Sequence, residues 1–155
     1  MNRYNILLIG LIVLFPAGCT QNGLSGLAPA SGVVLYDGKP VEGALVLFVP
    51  DGGANVPEQR PASAETDVNG KFVMMTLQPK DGVFPGKYKV VITKNIPEKV
   101  YTFEETQEFF RRGRPTPVPK SHNHLPEKYA DAQTTPLEIT LEIKGNKTLK
   151  YELQD

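Results

Sequence analysis

The sequence predicts an all-β protein: a seven-stranded antiparallel Greek-key β-sandwich with a long insertion between strands five and six. Three observations carry this. Apolar and polar residues alternate with period two in short stretches, as strands with one buried face require. Fourteen Gly and fourteen Pro in 155 residues punctuate those stretches and are too many for a helical bundle. Turn dipeptides separate one stretch from the next at short intervals.

The first predicted strand is Gly32 to Tyr36, closed by Asp37-Gly38-Lys39-Pro40, in which Gly accepts positive φ at no steric cost. The second, Ala44 to Val49, is apolar on both faces and reads as a central strand covered on both sides. The third, Pro61 to Thr66, carries Pro and polar residues and suits an edge. Asp67-Val68-Asn69-Gly70 turns the chain into the fourth, Lys71 to Leu77, and the fifth is Lys87 to Lys94. After the insertion, Leu137 to Ile143 alternates Leu137, Ile139, Leu141 and Ile143 against Glu138, Thr140 and Glu142. Gly145-Asn146 reads as a hairpin turn that returns the chain along Lys147 to Leu153. The expected core comprises Val34, Val46, Phe48, Phe72, Tyr88, Val90, Ile92, Leu137, Ile139, Leu141, Leu149 and Tyr151.

The N-terminus has a different character. Arg3 precedes an uninterrupted run of apolar residues and Gly from Ile6 to Phe15. That run is shorter than the ~20 residues a spanning helix needs and fits the central region of a secretory leader. Ala17 and Gly18 then precede Cys19, the only cysteine, so no intrachain disulfide can form. The arrangement resembles the lipobox of bacterial lipoprotein signals, with Pro16 where lipoboxes usually carry an aliphatic residue. The resemblance implies cleavage after residue 18 and acylation of Cys19; the plainer alternative is a buried core thiol beside an uncleaved anchor. Residues 19–31 read as a flexible tether from lipidated Cys19, and 32–155 as the sandwich.

Gly32-Val33-Val34-Leu35-Tyr36-Asp37-Gly38-Lys39-Pro40-Val41-Glu42-Gly43-Ala44, Thr66-Asp67-Val68-Asn69-Gly70-Lys71-Phe72 and Val83-Phe84-Pro85-Gly86-Lys87-Tyr88 form an ordered set of motifs. They resemble those of carboxypeptidase regulatory-like domains, whose fold is similar to transthyretin. With the leader and Leu125-Pro126-Glu127-Lys128-Tyr129, the chain resembles small lipoproteins of planctomycete-type bacteria. The resemblance implies a transthyretin-like sandwich without catalytic zinc. It says little of function, because such folds host many roles.

The candidates for chemistry are few. His122 and His124, spaced to share a strand face, are weak metal-ligand candidates, with Glu127 and Asp131 as further oxygen donors; exposed loop histidines are the plainer reading. Asp67-x-Asn69-Gly70 opens like a calcium loop, but Gly70 leads straight into an apolar strand, so a turn is expected. Ser63 or Ser121 makes a catalytic trio only on paper, with no nucleophile-elbow pattern. No enzyme activity and no cofactor are expected.

The insertion, 95–129, is not explained by strand patterning. Glu104-Glu105 early and Arg111-Arg112 late suit a two-turn helix ended by Gly113, and Arg114 to Pro119 reads as extended or polyproline-like. Phe109, Phe110, Arg111, Arg112 and Arg114 are the candidate partner-binding residues, aromatic and Arg side chains being enriched at hot spots. The alternative is a flap whose Phe residues cover one open end of the sandwich. The formal net charge is zero, and removing the first 18 residues leaves 16 basic against 17 acidic side chains, so nucleic acid is not expected as a partner. The expected function is a lipid-anchored, non-catalytic binding or structural module of the bacterial cell envelope. Its partners would be the membrane, through the anchor, and an envelope protein or glycan. The runner-up is an accessory domain that positions a substrate for an envelope enzyme.

Overall fold

The structure is a computed structural model that describes residues 24–52 and 59–155. The expected leader, Cys19 and the first part of the expected tether lie outside these residues.

The strands are β1 (Ala30–Tyr36), β2 (Lys39–Pro40), β3 (Leu45–Pro50), β4 (Ala62–Glu65), β5 (Lys71–Val73), β6 (Gly86–Thr93), β7 (Asn95–Pro97), β8 (Ser121–Asn123), β9 (Glu138–Leu141) and β10 (Asn146–Leu153). One helix, α1 (Phe103–Arg111), lies between β7 and β8. β1 pairs with β10 on one side and with β2 and β5 on the other, making one sheet. The second sheet runs β4-β3-β6-β9, and β7 and β8 form a separate ribbon. Each of the seven expected stretches contains a strand, the fourth only over Lys71–Val73, and β2, β7 and β8 are additional short ones.

The two four-stranded sheets share one core. Val34, Phe72, Tyr151 and Leu153 come from the first sheet; Val46, Phe48, Tyr88, Val90, Ile92 and Leu141 come from the second. Phe72 and Tyr151 stack at 6.0 Å, and Phe48 meets Tyr88 at 5.8 Å. Nine of the twelve expected core residues are buried; Leu137, Ile139 and Leu149 are half-buried against the cluster. On one flank the sheets are stitched together: Phe72 pairs with Gly32 in the first sheet, and Met75 bridges Ser63 at the edge of the second. β4 is an edge strand, as its Pro-flanked, polar sequence suggested.

Several expectations are corrected. The sheets are not antiparallel throughout, because β10 runs parallel to β1. Gly145-Asn146 therefore does not close a hairpin. The turn carries the chain from β9 in one sheet to β10 in the other, with Gly145 at φ +74° and the Asn146 N–H donating to the Pro29 carbonyl. Ile143 consequently falls beyond the end of β9, and it is exposed rather than continuing the inward row. β3 is central in its sheet, with Val46 and Phe48 fully buried on the core face, and on the other face Leu47 and Val49 are half-buried and Leu45 is exposed. The domain also starts earlier than Gly32. Ala28 is fully buried and pairs with Val83 through both backbone hydrogen bonds, and β1 begins at Ala30.

The sandwich has two distinguishable poles. At one lie the incoming chain at Ala28–Pro29, the start of β6, and the β9–β10 turn. At the other lie Tyr36, Lys39 and Pro40, together with Lys94, His124 and Leu125, which line one small surface pocket. The insertion leaves and rejoins the sandwich at this second pole.

Candidate partner-binding arm

The insertion is an arm built on a ribbon. Asn95, Ile96 and Pro97 of β7 pair with Asn123, His122 and Ser121 of β8. The Asn123 side-chain oxygen accepts from the backbone N–H groups of Lys94 and Leu125, at 2.9 and 3.3 Å, and so clamps the arm's base to the end of β6. Beyond the ribbon the chain returns to the core. Leu125 and Tyr129 are buried, and the Tyr129 hydroxyl both donates to the Gln154 carbonyl and accepts from its N–H, at 3.1 and 3.2 Å. Two residues of the expected insertion, Leu125 and Tyr129, are therefore core, while Glu127 and Lys128 between them are exposed.

α1 forms for local reasons. Thr102 caps it by accepting from the Glu105 N–H, and the Glu105 carboxylate accepts in return from the Thr102 N–H, a reciprocal box that satisfies two otherwise free donors. Glu104 and Glu105 sit at the positive end of the helix dipole and Arg111 at the negative end. Gly113, at φ +65°, ends the helix, with its N–H and that of Arg114 donating to the carbonyls of Phe110 and Phe109. The expected helix and its stop are both present.

No residue of α1 is buried. The helix is held by its own neighbours: Tyr101 meets the Phe109 ring edge-on at 5.6 Å, and Lys99 lies 4.6 Å over Tyr101 while pairing with Glu105 at 2.8 Å. The hydrogen bond from Lys99 holds the Glu105 carboxyl below its ordinary range, helped by the Thr102 N–H, and the same bond pushes Lys99 up. Arg112 pairs with Glu108 one turn before it.

Of the five candidate contact residues, Phe110, Arg111, Arg112 and Arg114 are exposed, Arg112 while paired with Glu108, and Phe109 is half-buried with its ring edge-on to Tyr101. The residue that joins Phe110 is Phe103. Seven positions apart, they fall on one helix face at 100° per residue, and they are 77% and 82% exposed. The spacing is visible in the sequence and was the available signal. From Phe109 to Lys120 the arm carries Arg111, Arg112, Arg114 and Lys120 and no acid. The hollow along the other side of the helix, lined by Glu105, Glu108, Phe109 and Arg112, holds about 190 Å³, below the ~300–1,000 Å³ of small-molecule sites. The arm offers a convex apolar-basic surface rather than a cavity.

The histidines sit on the ribbon. His122 Nδ1 lies 3.6 Å from Glu98 Oε1, and the His124 backbone N–H donates to Lys94, leaving both rings exposed. Glu127 lies in a short 3-10 turn, and Asp131 accepts from the Gln133 N–H. Among the described residues, no three His, Cys, Asp or Glu side chains are grouped as metal ligands would be. Asp67 uses one carboxylate oxygen to accept from the N–H groups of Asn69 and Lys71, which is turn geometry.

No family model and no curated protein matches the chain. Among solved structures, a 9R-lipoxygenase from Cyanothece PCC8801 aligns over 88% of this chain at 15% identity and a TM-score of 0.37, and the alignment spans 18% of that enzyme's length.

Proposed function

We propose that this chain is a lipid-anchored, non-catalytic binding or structural module of the bacterial cell envelope, facing the periplasm or cell surface, with the arm as its contact region. Its sandwich is read as a carboxypeptidase regulatory-like domain with the seven-stranded Greek-key order of transthyretin-like folds. That reading is supported by how the three motifs serve the fold: Gly38 and Gly70 hold positive φ in tight turns, and Tyr88 anchors β6 in the core. Anchoring is supported by the leader pattern that ends at Cys19. Two or more acyl chains hold a protein on a bilayer durably, where one chain is marginal.

The observation that carries the binding role is the helix α1: capped at both ends, with no residue buried, and presenting Phe103 and Phe110 to solvent on one face, two turns apart. Exposed paired aromatics with adjacent guanidinium groups are the composition of a protein or glycan contact. The test has two parts. Palmitate labelling in an exporting host reads the anchor, and label retained by Cys19→Ser removes it. Crosslinking in native membranes reads the arm: the double substitution Phe103→Ser/Phe110→Ser abolishes the adduct formed by the wild type. An adduct that survives moves recognition away from the arm.

A further inference from the structure

We infer that the pole of the sandwich at which the chain enters is its membrane-facing end, so that the arm is displayed away from the bilayer. This rests on acylation at Cys19 and adds an orientation to it.

The first fixed point of the domain is Ala28, locked to Val83. Nine residue steps separate it from Cys19, a reach of at most about 32 Å. Two loop tips surround this point. One is Thr76 to Gly82, where the Thr76 hydroxyl donates to the Gly82 carbonyl and Gly82 packs directly under Ala28. The other is the β9–β10 turn, where Gly145 packs against Pro29 and Asn146 donates to it. Each tip presents an exposed aliphatic side chain, Leu77 at 61% and Ile143 at 84%. Each also carries lysine: Lys80 on the first tip, Lys144 and Lys147 on the second, against Asp81 and Glu142. Asp81 is held by backbone N–H groups, and Glu142 and Lys144 pair with each other at 2.8 Å, so Lys147 is the cation the second tip presents without an ion pair among the described residues. Neither Leu77 nor Ile143 belongs to the hydrophobic core of the described residues. An aliphatic tip beside a lysine matches the boundary between acyl chains and phosphate headgroups, where the former inserts and the latter pairs.

The arm's base lies at the other end. β6 alone spans eight residues from the first pole to the second, about 25 Å at strand rise. Laying the arm pole on the bilayer would consume most of the reach available between Cys19 and Ala28, and would leave Leu77 and Ile143 in water.

The full-length lipoprotein, extracted from an exporting host and reconstituted into phosphatidylethanolamine–phosphatidylglycerol vesicles, tests this. An acylated Cys19 has no free thiol, so a single introduced cysteine takes a fluorophore selectively. Leu77→Cys and Ile143→Cys report the first pole; Lys39→Cys and His124→Cys report the second. Headgroup-attached quenchers should reduce the first pair roughly twofold or more beyond the second, because interfacial groups sit within about 5–10 Å of the acyl boundary. Equal or reversed quenching overturns the orientation while leaving the anchor intact. A different result marks failure of the anchor itself: Cys19 takes the label, or Cys19→Ser floats with the vesicles as well as the wild type does. The orientation then falls with it.

Discussion

The Thr66 hydroxyl donates to the Val41 carbonyl at 2.6 Å and accepts from the Ala44 N–H at 2.7 Å, all three groups being buried. One side chain therefore fastens the close of the first motif to the opening of the second. Valine at this position keeps the volume but orphans a buried carbonyl and a buried amide. Each orphan costs about 1–3 kcal/mol, so Thr66→Val should destabilise by about 3 kcal/mol. Thr66→Ser should recover most of that, since the hydroxyl returns. Urea denaturation of the three proteins measures the difference.

Two glycines in positive-φ turns should respond differently to alanine. At Gly70, φ +71°, an added Cβ would lie 2.5 Å from the Val34 carbonyl oxygen, whose strand donates its amide to Gly70. At Gly38, φ +76°, nothing stands within 4 Å. Gly38→Ala should cost about 1 kcal/mol, the backbone penalty alone. Gly70→Ala adds a clash with backbone that cannot swing aside, and its loss should exceed that of Gly38→Ala by more than about 1 kcal/mol. Thermal melts under identical conditions rank the two.

The strands were legible because one-sided burial writes a period of two into sequence, and Tyr88/Val90/Ile92 against Lys87, Lys89 and Thr93 show it plainly. That period does not say which strand lies alongside or in which direction. Leu149, Tyr151 and Leu153 point inward equally well whether β10 is antiparallel to β9 or parallel to β1. Gly145 was misread for a related reason: positive φ suits a hairpin and a crossing between sheets alike, and the Pro29 carbonyl that selects the crossing lies more than 100 residues away. Leu125 and Tyr129 were missed as core because they stand in no strand; only long-range packing reveals them. In the arm, local chemistry did suffice. Thr102, Glu105 and Gly113 fix the helix by contacts within one turn, while the division between Phe103/Phe110 and Phe109 depends on Tyr101 occupying the latter.

The Asp81 carboxylate should make the Thr76 to Gly82 loop acid-sensitive. Burial pushes its pKa up, but N–H donors from Thr76, Gln78 and Leu77 more than offset this and leave it below the ordinary value of 3.8. A depressed folded pKa means that the unfolded chain binds the proton first as pH falls. The stabilisation is present in full above the ordinary value and is lost as pH drops through the folded one. Asp81→Asn should lower the Tm at pH 7, and the gap from wild type should close as the melts are taken to acid pH through and below the ordinary carboxylate range. A gap that stays constant over that range would assign the loss to geometry instead of charge.

The arm and its root should separate cleanly in stability. α1 buries nothing, and closing a shorter loop across the β7–β8 ribbon changes the closure entropy only slightly. Replacing Glu104 to Arg114 with a short Gly-Ser linker should therefore leave the unfolding free energy within about 0.5 kcal/mol of wild type. Tyr129 is only fifteen residues beyond that segment but is buried, with its hydroxyl bonded twice to Gln154. Tyr129→Ala empties a core site and frees the C-terminal backbone, and should cost about 3–5 kcal/mol. Tyr129→Phe keeps the ring and removes the hydrogen bonds, at about 1 kcal/mol. Urea midpoints of the three variants decide the matter. If the linker variant loses as much as Tyr129→Ala, α1 is a flap that the sandwich needs, and its exposed phenylalanines are then poor grounds for a binding role. If it unfolds like the wild type, the energy that placed Phe103 and Phe110 on an exposed helix was not spent on folding, and their reason lies in what they touch.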